Sequence, residues 1–250
     1  MPDAPVNLAG LRALLAGRFP EKARRSDHGV PTGVPAVDDA LGGGLPAGRL
    51  TELVSAAPSS GGQTVLARLL VATQAARMRV ALVDGSDGFA PETVPADALR
   101  HLVWVRGRDL AAAMTAADLL VRDGNYDVLV LDLRGCARRA LERHPAAAWY
   151  RLQRAAEGGT VAVLVQTPCP LVPAVPWRLV LRQPGALADG RAARDSLVAR
   201  LAVERVRGHV VPSSSRLVSA EQSKGGWTRD YAAADSPPAL RAEEESELAG

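Results

Sequence analysis

The sequence predicts an α/β fold with a mostly parallel central β-sheet and helices on both of its faces. Short runs rich in leucine and β-branched residues, such as YDVLVLD at 126–132, recur along the chain without polar alternation. Segments with helical spacing of apolar residues separate these runs, and glycine-containing turns bound them. Strands that are apolar on both sides are typical of parallel sheets covered by two layers of helices.

The elements follow in order along the chain. Leucines at helical spacing predict a first helix within residues 6–18, and a polar segment rich in helix breakers follows it as a linker. A short helix and a glycine-rich turn then lead into alternating strands and helices. The predicted strands are 49–54, 79–85, 101–107, 126–135 and 160–167, and the predicted helices include 64–78, one that ends at Gly124, and 137–157.

The alternation of predicted strands and helices stops after Pro168, where the chain becomes rich in proline. The run PCPLVPAVP predicts a stiff loop, because proline cannot donate to a sheet ladder. Segments 177–183 and 196–208 then predict a C-terminal antiparallel hairpin. We expect an N-terminal helix and linker over 1–30, suited to oligomerisation or partner binding, a core over 31–212, and a mobile tail over 213–250.

Composition narrows the class of protein. The 250 residues are 47% hydrophobic and carry a net charge of +3, and Lys22 and Lys224 are the two lysines among 30 basic residues. Such arginine bias is typical of GC-rich genomes and is weak support for nucleic-acid binding. The roughly 18 uncharged apolar residues of a membrane span are not found, so no membrane partner is expected. Cys136 and Cys169 form no disulfide or zinc framework and predict reduced thiols in a cytoplasmic protein.

The stretch SAAPSSGGQT lies between a predicted strand and a predicted helix, which is the setting of a phosphate-binding P-loop. Backbone N–H groups at such a helix start can surround phosphates. The motif lysine is replaced by a glutamine, so a degenerate connecting loop is the alternative interpretation. The candidate residues of this vestigial nucleotide site are Ala57, Pro58, Ser59, Ser60, Gly61, Gly62, Gln63 and Thr64.

Three polar residues end predicted parallel strands. Asp132 is placed like the Walker B carboxylate that holds Mg²⁺, and it would be the metal ligand if a nucleotide binds. Asp84 ends the neighbouring strand. Beyond it, where a base would orient an attacking water, the chain offers Ser86 and Asp87, and no glutamate before Glu92. Gln166 could sense a γ-phosphate. Each of these residues has a structural alternative as the polar end of a buried strand.

Two further groups are candidates for binding DNA or a protein partner. On a helix spanning 137–157, Arg139, Arg143 and Arg154 would fall within about a third of a turn of one another. A solvated helix face is the alternative. In the tail, Trp227 and Tyr231 are spaced like one helical turn and could anchor a partner.

Taken together, several of these segments resemble a known protein family. The segment TGVPAVDDALGGGLPAGRLTEL, the P-loop-like stretch, VALVDGSDGFAP, YDVLVLDLRG and VAVLVQ resemble the RecA recombinase core in order and spacing, over about residues 31–208. The resemblance implies a RecA-like P-loop NTPase-type core. It also implies lost catalysis, because Gln63 matches the family's lysine, Ser86 matches its catalytic glutamate, and 168–176 replaces its long DNA-binding loops. We therefore expect no catalytic residues and no required cofactor, with weak ATP and Mg²⁺ binding left open.

This combination is similar to the ImuA family of bacterial RecA-like accessory proteins in translesion synthesis. The similarity implies a non-catalytic adaptor of the SOS response to DNA damage, in the bacterial cytoplasm and associated with the nucleoid. The implied partners are RecA, an ImuB-type Y-family polymerase homologue, an error-prone replicative polymerase subunit and, as a further option, DNA. The alternatives are a SulA-like cell-division inhibitor and a weakly ATP-dependent, DNA-binding RecA paralogue.

Overall fold

One sheet of seven strands organises the part of the chain that the structure, a computed structural model, describes, namely residues 29–56, 60–182 and 194–207. The strands are β1 (Leu50–Val54), β2 (Val80–Asp84), β3 (Leu102–Arg106), β4 (Val128–Asp132), β5 (Ala162–Thr167), β6 (Trp177–Leu181) and β7 (Val203–Arg207). The helices are α1 (Pro35–Leu41), α2 (Gly62–Ala75), α3 (Ala96–Leu99), α4 (Leu110–Asp123), α5 (Arg138–Arg143), α6 (Ala146–Glu157) and α7 (Arg194–Ala199), with a 3₁₀ turn at Pro91–Thr93.

The strand order is β3–β2–β4–β5–β1–β6–β7. Among the described strands, β1 to β6 pair in parallel, and β7 pairs antiparallel with β6. The predicted α/β class, the mostly parallel sheet and the C-terminal antiparallel pair are therefore confirmed.

Apolar side chains are buried on both faces of the sheet. In β4, Val128 and Val130 belong to one core cluster, and Leu129 and Leu131 belong to the other. Helices α1, α2, α3 and α7 contribute to the first cluster, and α4, α5 and α6 contribute to the second. This two-sided burial explains why the strand sequences lack polar alternation.

The predicted helix 137–157 is wrong as a single element. It divides into α5 and α6 because His144 is extended, with φ −68° and ψ 132°, immediately before Pro145. Proline lacks an N–H and forces the preceding residue out of the helical region. Arg139 and Arg143 consequently lie in α5 and Arg154 lies in α6, so the arc expected for one continuous helix does not exist.

The predicted strand 196–208 is also wrong over its first half. Residues 194–199 form α7, and the strand begins only at Val203. Val198 and Leu201, three residues apart, both pack on the core cluster beneath α2. A helical turn places residues at this spacing on one side, whereas a strand would separate them.

A glycine-rich turn follows α1 and leads towards β1. Gly42, Gly43 and Gly44 have φ of 78°, 124° and 125°, and an antiparallel bridge joins Val30 to Leu45. A Cβ at Gly44 would meet the backbone carbonyl of Val30, so only glycine permits this approach.

No helix among the described residues is long and apolar enough to cross a membrane. The predicted N-terminal helix, the predicted tail with Trp227 and Tyr231, and the loop residues Ala57, Pro58 and Ser59 lie outside the described residues.

Candidate functional site

Three buried polar residues form a row across the carboxyl edge of the sheet. Asp84 of β2 is in register with Asp132 of β4, which is in register with Gln166 of β5. Two residues earlier in these strands, Leu82, Val130 and Leu164 belong to the core cluster to which α2 contributes. Because side chains two apart share a face, the row projects on the α2 side of the sheet. Carboxyl ends of strands are where open α/β sheets bind ligands.

The start of α2 faces this row. Gly61 precedes the helix with φ of 101°, and the Leu201 side chain lies against it. Gly62, the first helical residue, is buried, and a Cβ there would lie 2.7 Å from Arg134 Nη1 and 2.8 Å from Ser55 Oγ. Glycine at this position therefore lets a guanidinium group approach the positive end of the helix.

Arg134 connects the row to α2. Its Nε donates to Asp132 Oδ1 at 2.9 Å and its Nη2 donates to Asp132 Oδ2 at 2.6 Å. Nη2 also donates to Gln63 Oε1 at 3.2 Å. The Asp132 side chain is 2% exposed and the Arg134 side chain 20% exposed. This bidentate geometry is the strong form of a carboxylate–guanidinium pair.

Gln63 is bound from two sides. Its Oε1 accepts from Arg134, and its Nε2 donates to Thr93 Oγ1 at 3.1 Å. The amide thus ties the first turn of α2 to both the end of β4 and the 3₁₀ turn. Thr64 lies beside it in the same helical turn and is half-buried.

These residues do not fit the Mg²⁺ ion that the P-loop resemblance implies. Mg²⁺ is held through carboxylate oxygens, and both oxygens of Asp132 already accept from Arg134. A divalent cation at this carboxylate would also lie next to a permanent positive charge. Over the described ranges, no group of three or more His, Cys, Asp or Glu residues is arranged to hold a metal.

Asp84 organises the loop after β2. It is fully buried and accepts from the backbone N–H groups of Ser86, Gly88 and Phe89, at 3.2, 3.1 and 2.9 Å. Its carboxylate is therefore committed to the backbone, in agreement with the structural alternative for this residue. Ser86 lies within this loop, close enough to Gly135 that a Cβ at Gly135 would come within 2.5 Å of the Ser86 hydroxyl.

Cys136 lies close enough to Asp132 and Asp84 to be influenced by both charges. Its thiol donates to the Gly85 carbonyl at 3.3 Å. Burial, followed by the charges of Asp132 and Asp84, raises the pKa of the Cys136 thiol to about 11. The thiol therefore stays protonated at neutral pH, which makes it a poor nucleophile.

Gln166 is fully buried, and neither its Nε2 nor its Oε1 has a hydrogen-bond partner among the described residues. The Ser55 hydroxyl, at the end of β1 beside Gly62, also lacks a partner within these ranges. Buried polar atoms are normally satisfied, and an unsatisfied one costs about 1–3 kcal/mol. Orphaned polar atoms at a helix start indicate a site for a polar ligand or water.

A second buried ion pair lies on the opposite face. Glu52, fully buried in β1, accepts from Arg178 Nε at 2.5 Å and from the backbone N–H groups of Leu171 and Val172 at 2.7 and 3.0 Å. Arg178 Nη2 in turn donates to the Val172 carbonyl at 2.6 Å. These contacts hold the proline-rich loop 168–176 against the sheet.

The structure brings together Gly62, Gln63, Asp132 and Gln166 from the predicted site, with Ser60, Gly61 and Thr64 adjacent in the chain. Asp84 stands in the same row with a loop-capping role. Arg139, Arg143 and Arg154 are exposed on α5 and α6 and are not part of this group.

Sequence reasoning missed Arg134, Ser55 and the Glu52–Arg178 pair. Two signals were available in the sequence. Arg134 follows Asp132 by two residues at the end of a strand, and Glu52 is a charged residue inside an apolar run.

Comparison with known proteins supports the RecA-like interpretation over part of the chain. The chain is 38% identical to Protein RecA of Nocardia farcinica over 122 residues, which cover 46% of this chain and 34% of that protein. Protein RecA of Rhodococcus jostii gives the same identity and coverage, and that of Streptomyces ambofaciens is 35% identical over 120 residues, covering 46% and 32%. The chain thus spans about a third of the length of the curated relatives it matches. No protein-family model matches it.

Proposed function

We propose that this chain is a non-catalytic RecA-like accessory protein, an adaptor that retains the fold and has lost the chemistry. The Arg134–Asp132 pair is the observation that carries the proposal. Phosphoryl transfer depends on a metal bound at the Walker B carboxylate and on a lysine at the phosphates. Here an arginine engages that carboxylate, and Gln63 stands at the lysine position and binds the same arginine.

The proposed setting is SOS-induced translesion DNA synthesis in the bacterial cytoplasm, in association with the nucleoid. It rests on the similarity of the sequence to the ImuA family. The proposed partners are RecA and an ImuB-type polymerase homologue, with an error-prone replicative polymerase subunit as a further partner. The physical logic is that a RecA-like core without turnover remains useful through its surface.

The adaptor proposal is tested with truncations of the purified chain. Chains lacking residues 1–25, or the residues after 212, are compared with the full chain in pull-downs against RecA and the ImuB-type partner. Circular dichroism and thermal melts check that each core remains folded. We expect a folded core and weaker capture, because apolar and aromatic residues in the two terminal segments are suited to anchoring a partner.

Unchanged capture by both truncations would assign the interface to the core. Absence of capture by the full chain would overturn the adaptor proposal itself.

DNA is a second candidate partner, favoured by the exposed arginines of α5 and α6. Arg139, Arg143, Arg151 and Arg154 are all exposed. Phosphate contacts by these side chains would release counterions and give a steep salt dependence. Fluorescence anisotropy of labelled single-stranded DNA over a salt series tests this. The double variant Arg139→Gln, Arg143→Gln should show a shallower slope of log binding constant against log salt concentration. Salt-independent or absent binding would contradict it.

A further inference from the structure

The Arg134 guanidinium retains unused donor capacity at the start of α2. Nε and Nη2 are committed to Asp132 and Gln63. Nη1 makes no hydrogen bond with the described residues, and it lies so close to Gly62 that a Cβ there would be 2.7 Å away. Nη1 therefore adds positive charge and two N–H donors to the N-terminus of a 14-residue helix, which already favours anions.

Two independent observations point to a ligand at this place. Gln166 is fully buried with both amide atoms unpartnered, and it stands in register with Asp132, on the face of the sheet that α2 covers. Ser55 Oγ is likewise unpartnered among the described residues and lies next to Gly62. The fold thus places an amide and a hydroxyl, both without partners among the described residues, at the carboxyl ends of the neighbouring strands β5 and β1, where α2 begins.

We propose that this site binds the diphosphate group of a small molecule without a divalent cation, and that Arg134 takes the place of the metal. The site consists of the first turn of α2 with Ser55, Arg134 and Gln166. Asp132 supplies the charge that fixes the guanidinium, as it would fix Mg²⁺ in a metal-dependent site. The proposal does not depend on the protein partners discussed above.

The chemistry favours phosphate over other anions. A guanidinium group presents planar paired donors that match phosphate oxygens. Backbone N–H groups at a helix start add further donors in the same direction. Among the described residues, the Asp132 carboxylate is the one acidic group paired with Arg134, and the bidentate pair neutralises it. In the proposed arrangement, one of two linked phosphates lies at the helix start and the other accepts from the orphaned Gln166 amide.

Metal independence follows from the same pair. In a metal-dependent site Mg²⁺ bridges the carboxylate to the phosphates. Here a bound Mg²⁺ would compete with Arg134 for Asp132 and would meet its charge at close range. Free Mg²⁺ also complexes diphosphate in solution. Binding should therefore be as strong in EDTA as in excess MgCl₂, or stronger.

Isothermal titration calorimetry on the full chain tests the proposal. Inorganic pyrophosphate, ADP and adenosine are titrated separately in EDTA and in excess MgCl₂. We expect pyrophosphate and ADP to bind in EDTA, and adenosine not to bind. Binding of ADP without pyrophosphate would place recognition on the nucleoside and overturn the diphosphate assignment. Absence of binding in EDTA, or binding only with MgCl₂, would also overturn it.

Variants locate the site. Arg134→Gln should weaken pyrophosphate binding by about tenfold or more, since a charge-assisted hydrogen bond contributes about 1.5–3 kcal/mol. Arg138→Gln is the matched control, because that arginine is exposed and pairs with Glu142 in α5. Equal losses in the two variants would indicate unspecific charge attraction and overturn the proposal.

The Gln166→Leu variant provides a second test of the site in case the Arg134→Gln variant does not fold. It removes the orphaned amide without touching the ion pair, so the fold should tolerate it, while pyrophosphate affinity should fall. Full affinity in a folded Gln166→Leu chain would remove Gln166 from the site and contradict the proposal. Capture of protein partners by Gln166→Leu should be unchanged, which separates this site from the adaptor function.

Discussion

Arg134 and Asp132, two residues apart at the end of β4, form a two-point ion pair in which both carboxylate oxygens accept from the same guanidinium, at 2.9 and 2.6 Å. The carboxylate is buried and its partner is one-fifth exposed, so the pair is largely shielded from water. A buried carboxylate needs a positive partner, and either a metal ion or an arginine can supply it. In this chain the positive partner is Arg134, a residue of the same polypeptide, and not a bound ion.

We expect the purified protein to hydrolyse ATP at background rates, and Gln63→Lys alone not to restore turnover. The lysine would lie beside Arg134, Asp132 would still be engaged, and Ser86 would still lack a carboxylate. Each missing electrostatic contribution is worth on the order of 3 kcal/mol in a preorganised site. A coupled phosphate-release assay, with and without RecA and single-stranded DNA, measures this. Turnover by the unmodified chain at about 1 s⁻¹ or faster would contradict the expectation.

A double-mutant cycle should show strong coupling between Asp132 and Arg134. Arg134→Gln leaves a buried carboxylate unpaired and should lower the free energy of unfolding by about 3 kcal/mol. Adding Asp132→Asn should recover part of that loss, which gives a coupling energy of about 1–3 kcal/mol. Urea unfolding of the four chains provides the values. Simple additivity of the two substitutions would mean that the pair contributes nothing to the folded state.

Glu52→Gln should lower the free energy of unfolding by about 3 kcal/mol, the lower end for a broken buried pair, because the glutamine oxygen can still accept from Leu171 and Val172. Proteolysis within loop 168–176 should become faster. Glu204→Gln is the control, since its pair with Arg182 is about half exposed and exposed pairs contribute about 0–1 kcal/mol. Similar losses in both variants would contradict a special role for Glu52.

Gly44→Ala should destabilise the protein more than Gly43→Ala. Both positions have φ near 125°, so both alanines are strained. A Cβ at Gly44 would also collide with the Val30 carbonyl, whereas nothing lies within 4 Å of a Cβ at Gly43. We expect a difference of about 1–3 kcal/mol in urea unfolding. Equal effects would show that strain alone accounts for the glycine requirement.

Stability should fall as the pH drops below about 6.5, the ordinary pKa of histidine. Burial lowers the pKa of His101. Thr73 donates its hydroxyl proton to the Leu69 carbonyl at 2.7 Å, so His101 Nε2, 2.9 Å away, must donate to Thr73. His101 Nδ1 is buried without a partner among the described residues, and protonating it would bury an unpaired charge.

The sign follows from linkage. The unfolded chain binds this proton more readily, so stability is full above the unfolded pKa and is lost as pH falls towards the folded pKa. In the His101→Gln variant, the midpoint of urea unfolding should change less between pH 7.5 and pH 5.5 than it does in the unmodified chain. His144, whose pKa burial and then Arg151 lower in the same direction, would account for a remaining slope. A His101→Gln chain with the unmodified pH profile would contradict the role of His101.

Much of the fold could be predicted from local pattern. The runs VLVLD and AVLVQT are apolar on both sides because each strand packs against helices on both faces. Two-sided burial can therefore be recognised from the sequence alone. The carboxyl edge of a parallel sheet then gathers Asp84, Asp132 and Gln166 without any knowledge of distances. Pro145 was also a readable signal, since a proline within a helical pattern forces a break.

The sequence by itself determined the layers of the fold, the edge at which the site lies and the missing lysine. Only the tertiary structure decided which charges meet. Glu52 and Arg178 are 126 residues apart, and Arg134 reaches Gln63 across 71, because parallel strands bring distant segments side by side. Periodicity records whether a residue is buried, whereas an ion pair depends on the three-dimensional positions of both side chains. For this reason the pairing of Glu52 with Arg178 and the contact of Arg134 with Gln63 could be found only in the folded chain.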